Sequence, residues 1–148
     1  MRRFSHLAGA LAFALVWGTA NGPALGQILG QEKTILPLIK ANWIAFRNFG
    51  GRQLVYFTML QSYRCGLSEV RFSINDDGLG EYFPMPPCDP QRPNAIDTEK
   101  WPPYITMPLG TAKWAAVQLV YADGEESEPV RFGLCDAPGD SACAVVLP

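Results

Sequence analysis

The stretch KWAAVQLVYADGEESEPVRFGL, residues 113–134, decides the predicted fold of this chain. Its first ten residues are mostly apolar and β-prone, which predicts a strand. The inner face of that strand is predicted to carry Ala115, Val117, Leu119 and Tyr121. Asp123-Gly124 is a strong hairpin-turn signal, and residues 127–134 predict a returning strand with Val130 and Phe132 directed inward. The stretch therefore predicts an antiparallel hairpin with one buried face.

The clearest alternation upstream of this hairpin is SEVRFSIN, residues 68–75. Its apolar residues, Val70, Phe72 and Ile74, fall on one side, and the charged or polar residues between them fall on the other. Asn-Asp-Asp-Gly at 75–78 predicts a turn. Residues 79–85 then predict a short returning strand, which Pro84 interrupts.

The N-terminal half predicts a second hairpin. Residues 42–48 and 53–63 are rich in aromatic and β-branched side chains, and Gly50 and Gly51 between them supply the positive φ of a tight turn. Residues 53–63 are apolar on both faces, as expected of a strand in the centre of a sheet. Residues 28–41 contain Pro37, which favours an edge strand over a helix. No helix is predicted in the mature chain.

Seven or eight short strands separated by turns predict an all-β, antiparallel β-sandwich. The segment KWAAVQLVYADGEESEPVRF resembles the last two strands of bacterial immunoglobulin-like and fibronectin type III-like extracellular modules. SEVRFSINDDG resembles a strand-and-turn unit of the same modules. The resemblance covers residues 68–83 and 113–134 and implies an immunoglobulin-like sandwich. It concerns the fold and carries no function with it.

The N-terminus has the three parts of a secretory signal peptide. Arg2 and Arg3 precede an apolar run of eleven residues at 7–17, which is too short to span a bilayer, and small residues follow. Cleavage fits after Ala20 or after Gly26, and Pro23 favours Gly26 because it would break the apolar helix. We therefore expect a signal peptide over 1–26 and one exported domain, periplasmic or extracellular, over 27–148.

The mature chain is mildly acidic and has few options for catalysis. Arg2 and Arg3 leave with the signal peptide, so ten of the 12 basic residues remain against all 14 acidic ones, a net charge of −4. This balance argues against a nucleic acid partner. The single histidine, His6, also leaves, which excludes histidine-dependent triads and histidine-ligated metals. No metal site, cofactor or membrane span is predicted for the mature chain.

All four cysteines lie in the mature chain, and an even count in an exported protein predicts two disulfides. Three pairings are possible. Cys65–Cys88 and Cys135–Cys143 are preferred because pairs close in sequence require the least topology. The absence of a Cys-x-x-Cys motif argues against a zinc site.

The candidate binding site lies in residues 84–108, a 25-residue segment that holds eight of the 13 prolines. Loops this long in compact domains are usually functional or disordered, and prolines with a nearby cysteine disfavour disorder. The proposed anchors are Trp101 and Tyr104, and the proposed polar contacts are Arg92, Asp97 and Glu99. The competing interpretation is that both aromatic rings plug the end of the sandwich.

These features predict a non-catalytic binding or accessory module that recognises a protein or glycan of the cell envelope through the 84–108 loop. One alternative is a secreted enzyme inhibitor that inserts a stiff loop into a cleft. A less favoured alternative is a glycoside hydrolase that uses Asp97 and Glu99 as acid and base. Calcium binding by residues 75–78 with Glu81 is disfavoured, because the acids lack the alternate spacing of a calcium loop.

Overall fold

The computed structural model of the chain describes residues 30–136 and 140–148. The predicted signal peptide, residues 1–26, lies outside the described residues. Two short helices and eight strands are described: α1 (Glu32–Leu38), β1 (Ala45–Phe49), β2 (Arg52–Tyr56), α2 (Thr58–Ser62), β3 (Leu67–Ile74), β4 (Glu81–Tyr82), β5 (Tyr104–Pro108), β6 (Trp114–Tyr121), β7 (Val130–Gly133) and β8 (Val145–Val146). Short 3-10 helices lie at Lys40–Asn42 and Arg64–Gly66.

The first sheet has three antiparallel strands in the order β1-β2-β5. The predicted hairpin is confirmed, and Gly50 and Gly51 take positive φ values of 60° and 74° between its strands. β2 is the central strand, as its two apolar faces predict. The prediction that this strand continues to Tyr63 is wrong, because it ends at Tyr56 and α2 follows. Pro103 lies opposite the end of β2 and has no N–H with which to extend the ladder.

The second sheet has five antiparallel strands in the order β4-β3-β6-β7-β8. β3 and β6 pair over most of their length, with Phe72 opposite Val117 and Val70 opposite Leu119. The predicted inner-face residues of β3 and β6 are buried or pack against the core. The Asp123-Gly124 turn is confirmed, and Phe132 is buried in β7 as predicted. β8 was not predicted.

One hydrophobic core lies between the two sheets. It joins Phe46 and Val55 of the first sheet to Phe72, Leu119 and Phe132 of the second. Phe57, at the end of β2, stacks on Phe83 with ring centroids 4.2 Å apart. The predicted all-β architecture of two packed antiparallel sheets is thus confirmed.

The prediction of an edge strand over residues 28–41 is wrong, because residues 32–38 form α1 with Pro37 inside it. Pro37 is the sixth of seven residues, so its missing N–H costs this short helix one bond, to the carbonyl of Lys33. Leu36 is fully buried, and its carbonyl accepts a 2.8 Å hydrogen bond from Trp43 Nε1. The stabilisation gained by burying one face of α1 therefore outweighs the unfavourable effect of Pro37 on the helix.

Both predicted disulfides are confirmed: Cys65–Cys88 and Cys135–Cys143. Such bonds are typical of proteins that mature in an oxidising compartment. Neither α1 nor α2, nor either 3-10 helix in the described residues, has the length and apolar character needed to cross a membrane.

Candidate functional site

The candidate site is built on a buried arginine that belongs to no recognisable sequence motif. Arg64 lies in the 3-10 helix after α2 and is 3% exposed. Its guanidinium donates to the carbonyl oxygens of Pro87 at 3.0 Å, Ala95 at 3.3 Å and Pro93. A further bond, 3.4 Å long, reaches the carbonyl of Gln61. One side chain therefore holds three points of the proline-rich segment.

The Arg64 guanidinium pairs with carbonyl dipoles instead of a carboxylate. None of the ion pairs among residues 30–136 and 140–148 includes Arg64. A planar guanidinium offers five N–H donors in a fixed fork, which suits several converging carbonyl oxygens. Proline has no N–H, so the proline-rich segment has fewer backbone donors for its own carbonyl oxygens. The carbonyl oxygens thus give the buried Arg64 guanidinium the hydrogen-bond partners that it needs.

Three further contacts fix the segment at its two ends. The Cys65–Cys88 disulfide, next to Arg64 in sequence, ties the start of the segment to the same 3-10 helix. At the other end, the buried Gln61 donates from Nε2 to the carbonyls of Trp101 and Pro102, at 3.3 Å each. The N–H of Phe57 donates to Pro103 O at 2.7 Å. The segment is therefore held along its length by the α2 region.

The two predicted anchors lie at the end of this held segment. Trp101 is half-buried, and Lys100 Nζ lies 5.9 Å from the centre of its ring. Tyr104 begins β5, is 38% exposed and meets Tyr56 of β2 edge-to-face, with ring centroids 5.2 Å apart. The two anchors thus combine ordered backbones with accessible ring surface.

The three predicted polar contacts are exposed and make local bonds. Arg92 pairs with Asp89 at 3.1 Å. Asp97 accepts at Oδ1 from the N–H groups of Glu99 at 3.1 Å and Lys100 at 3.2 Å. In the described part of the chain, no side-chain hydrogen bond joins Arg92, Asp97 or Glu99 to either anchor ring. Asp97 instead shapes the turn that leads to Trp101, whose N–H donates to the Asp97 carbonyl at 2.8 Å.

The Asp89 carboxyl, at the turn over residues 89–92, has a shifted pKa. Partial burial acts to raise the pKa of the Asp89 carboxyl, but hydrogen bonds from the N–H groups of Arg92 and Gln91, and from the Arg92 side chain, lower it overall. Asp89 therefore stays ionised and fixes the turn around residues 89–92. Arg92 contributes to this turn as well as offering exposed donors.

The acidic turn at 75–78 is also a structural element. Asn75 has a φ of 61°, accepts from Lys113 N at 2.8 Å and donates to Thr111 O at 2.8 Å. Asp77 makes two hydrogen bonds to the Arg131 guanidinium. These bonds use the Asn75 amide and the Asp77 carboxylate to link the turn to β7 and to the residues just before β6.

The fold and the clamped segment together define a class: a small, disulfide-bonded, two-sheet β protein with an ordered proline-rich loop. The sequence matches no protein-family model, and comparison with curated proteins and with solved structures returns no significant match.

Proposed function

We propose that the chain is an exported, non-catalytic binding module that recognises a protein or glycan through the 84–108 segment. We further propose that its sandwich is of the immunoglobulin-like or fibronectin type III-like kind. The observation that supports the binding role is the clamp on this segment by Arg64. A loop that is ordered before binding loses little conformational entropy on binding, which favours recognition.

Trp101 and Tyr104 are the proposed anchors in this function. Aromatic side chains with both an apolar body and a polar tip contribute strongly to binding at low entropic cost. Both rings keep accessible surface although their backbones are fixed. Arg92, Asp97 and Glu99 are the proposed polar contacts, and all three are exposed.

The deciding experiment compares Trp101→Ala with Tyr82→Ala, a matched removal of an exposed ring from β4. Each variant is measured for binding to a panel of immobilised polysaccharides and to cell-envelope proteins, and for melting temperature. We expect Trp101→Ala to lose binding with a melting temperature within about 3 °C of the wild type. Tyr82→Ala should bind normally.

A large drop in melting temperature for Trp101→Ala would make the ring a core residue. Tyr104→Ala then serves as the second variant, because Tyr104 is more exposed. Normal binding by both anchor variants would overturn the proposed site. The inhibitor alternative would be favoured over the accessory module if the wild type inhibits a purified hydrolase and both variants fail to inhibit it.

A further inference from the structure

The outer face of the first sheet is a second accessible surface, and it continues from Tyr104. Phe46, Val55 and Met107 of its strands contact the core, so the alternate residues point outward. The outward side chains that matter here are Arg47, Phe49, Arg52, Tyr56, Tyr104 and Thr106. We call this set the outer face.

The exposed apolar groups of the outer face are mostly aromatic rings. Phe49 is 55% exposed at one end, and the Tyr56–Tyr104 pair lies at the other. Leu54, the aliphatic residue at the centre, lies between Arg47 and Thr106 in the strand register and is only 7% exposed. The surface therefore offers ring edges and planes, and its exposed aliphatic residue, Pro108, lies at the end of β5 opposite Arg52.

The outer face also carries positive charge on a chain with an excess of acid. β1, β2 and β5 contain no aspartate or glutamate. Arg52 is exposed, and within residues 30–136 and 140–148 no carboxylate forms an ion pair with it. In contrast, Arg71 and Arg131 on the other sheet both pair with carboxylates.

Arg47 contributes less to this charge than Arg52. Its Nε donates to the carbonyl of Asp140 at 2.6 Å, and its guanidinium lies 4.5 Å from the centre of the Phe49 ring. Asp136 and Asp140 line a cleft of about 310 Å³ together with Arg47. Arg52 is therefore the residue of the outer face best placed to pair with an anionic ligand.

We propose that the outer face binds a polysaccharide that carries carboxylate groups, a uronate-containing glycan. A guanidinium pairs with a carboxylate through two parallel hydrogen bonds, and tyrosine rings present flat surfaces on which sugar rings stack. Arg52 and Tyr56 are four residues apart on β2, roughly 13 Å, so an extended chain along the strand reaches both. This inference rests on the proposed function, because Tyr104 belongs to both surfaces.

Two other occupants fit the outer face less well. A second copy packed face to face would bring Arg52 against another arginine-bearing face that has no carboxylate of its own. Protein interfaces usually depend on anchors in well-packed pockets, and here the central aliphatic residue is already covered.

The test measures binding of the mature chain to polygalacturonate, to the same polymer fully methyl-esterified, and to poly-glutamate. Arg52→Gln should weaken binding to polygalacturonate about fivefold, the effect of an exposed ion pair, and reduce its salt dependence. Binding to the esterified polymer should be weaker in the wild type and unaffected by Arg52→Gln. Lys40→Gln, which removes one positive charge elsewhere, should have no effect.

Three outcomes would overturn the inference. They are binding of poly-glutamate as tight as that of polygalacturonate, no loss of affinity in Arg52→Gln, and self-association by light scattering that polygalacturonate fails to reverse. The failure of the proposed function is distinguishable. If Trp101→Ala abolishes polymer binding and Arg52→Gln leaves the affinity unchanged, the segment is the site and the outer face is not. If Arg52→Gln weakens binding about fivefold and Trp101→Ala leaves it unchanged, the outer face binds the glycan without the segment.

Discussion

At the scale of single residues, Gly66 shows how closely two segments approach in this fold. A Cβ at Gly66 would lie 2.3 Å from Glu32 Cβ and 2.4 Å from Glu32 Cγ. Glu32 is buried at the start of α1, and its carboxylate accepts from Gly30 N at 2.6 Å. Only a residue without a side chain lets α1 pack against the 3-10 helix that carries Arg64 and Cys65.

We predict that Gly66→Ala lowers the free energy of unfolding by about 1–3 kcal/mol, because the methyl group overlaps a packed side chain. The matched control is Gly80→Ala, where the added Cβ would have nothing within 4 Å and the φ is not positive. Urea unfolding measures both. Equal midpoints for the two variants would show that α1 does not pack there, and partial relief of the loss by an added Glu32→Gly, which removes the overlapping Cβ and Cγ, would confirm the contact.

At the scale of elements, the 84–108 segment is ordered by contacts from outside it. Its restraints come from Gln61, Arg64 and Cys65, which all lie within or just after α2. The region 57–66 thus connects the central strand of the first sheet to the long strand of the second and also supports the segment. A change in this region is expected to affect binding without touching the anchors.

We predict that Arg64→Leu opens the segment, because the carbonyls of Pro87, Pro93 and Ala95 lose their donor. The free energy of unfolding should fall by about 2–4 kcal/mol. Limited proteolysis should cut the segment faster than in the wild type. Arg92→Leu, which removes an exposed arginine from the same segment, should cost less than about 1 kcal/mol and leave the cleavage rate unchanged. If Arg64→Leu stays resistant to cleavage, the disulfide and the bonds from Gln61 and Phe57 suffice to order the segment.

At the scale of the whole molecule, an ion-pair cluster joins α1 to the connection between β6 and β7. Lys33 Nζ lies 2.8 Å from Asp123 Oδ2 and 2.5 Å from Glu125 Oε2. Hydrogen bonds to Asp123 and Glu125 raise the pKa of the Lys33 ammonium, and the bond from Lys33 lowers the pKa of the Asp123 carboxyl. All three groups are accessible to solvent, so the stabilisation is small and screened by salt.

We predict that the stability difference between the wild type and Lys33→Met depends on pH. The Asp123 contribution is present above the ordinary carboxyl pKa of 3.8 and is lost as the pH falls through the lowered value in the folded state. The Lys33 contribution is present below 10.5 and is lost as the pH rises through its raised value. The difference in urea midpoint should therefore be largest near neutral pH and vanish in strong acid. A difference in urea midpoint that persists in acid would show that packing of the Lys33 side chain, and not its charge, causes the difference. Lys113→Met, which removes a positive charge elsewhere, is the control.

Features that depend on neighbours along the chain were predictable from the amino-acid sequence. Alternation in residues 68–75 identified the inner face of β3, and Gly50-Gly51 and Asp123-Gly124 identified turns. The nearness of the cysteines in sequence identified both disulfides. These signals are local, because a strand with one buried face and a tight turn each impose their pattern within a few residues.

Features that depend on distant partners are visible only in the folded chain. Burial of Leu36 stabilises α1 although the helix contains Pro37. β2 ends at Tyr56 because Pro103 lies opposite Phe57. Neither contact is evident from a local sequence pattern. The Arg64 clamp and the Tyr56–Tyr104 pair join residues 23 or more apart. The reason is physical. A buried guanidinium is stable only where carbonyl oxygens converge on it, and a ring becomes part of a face only when the sheet pairs its strand with another.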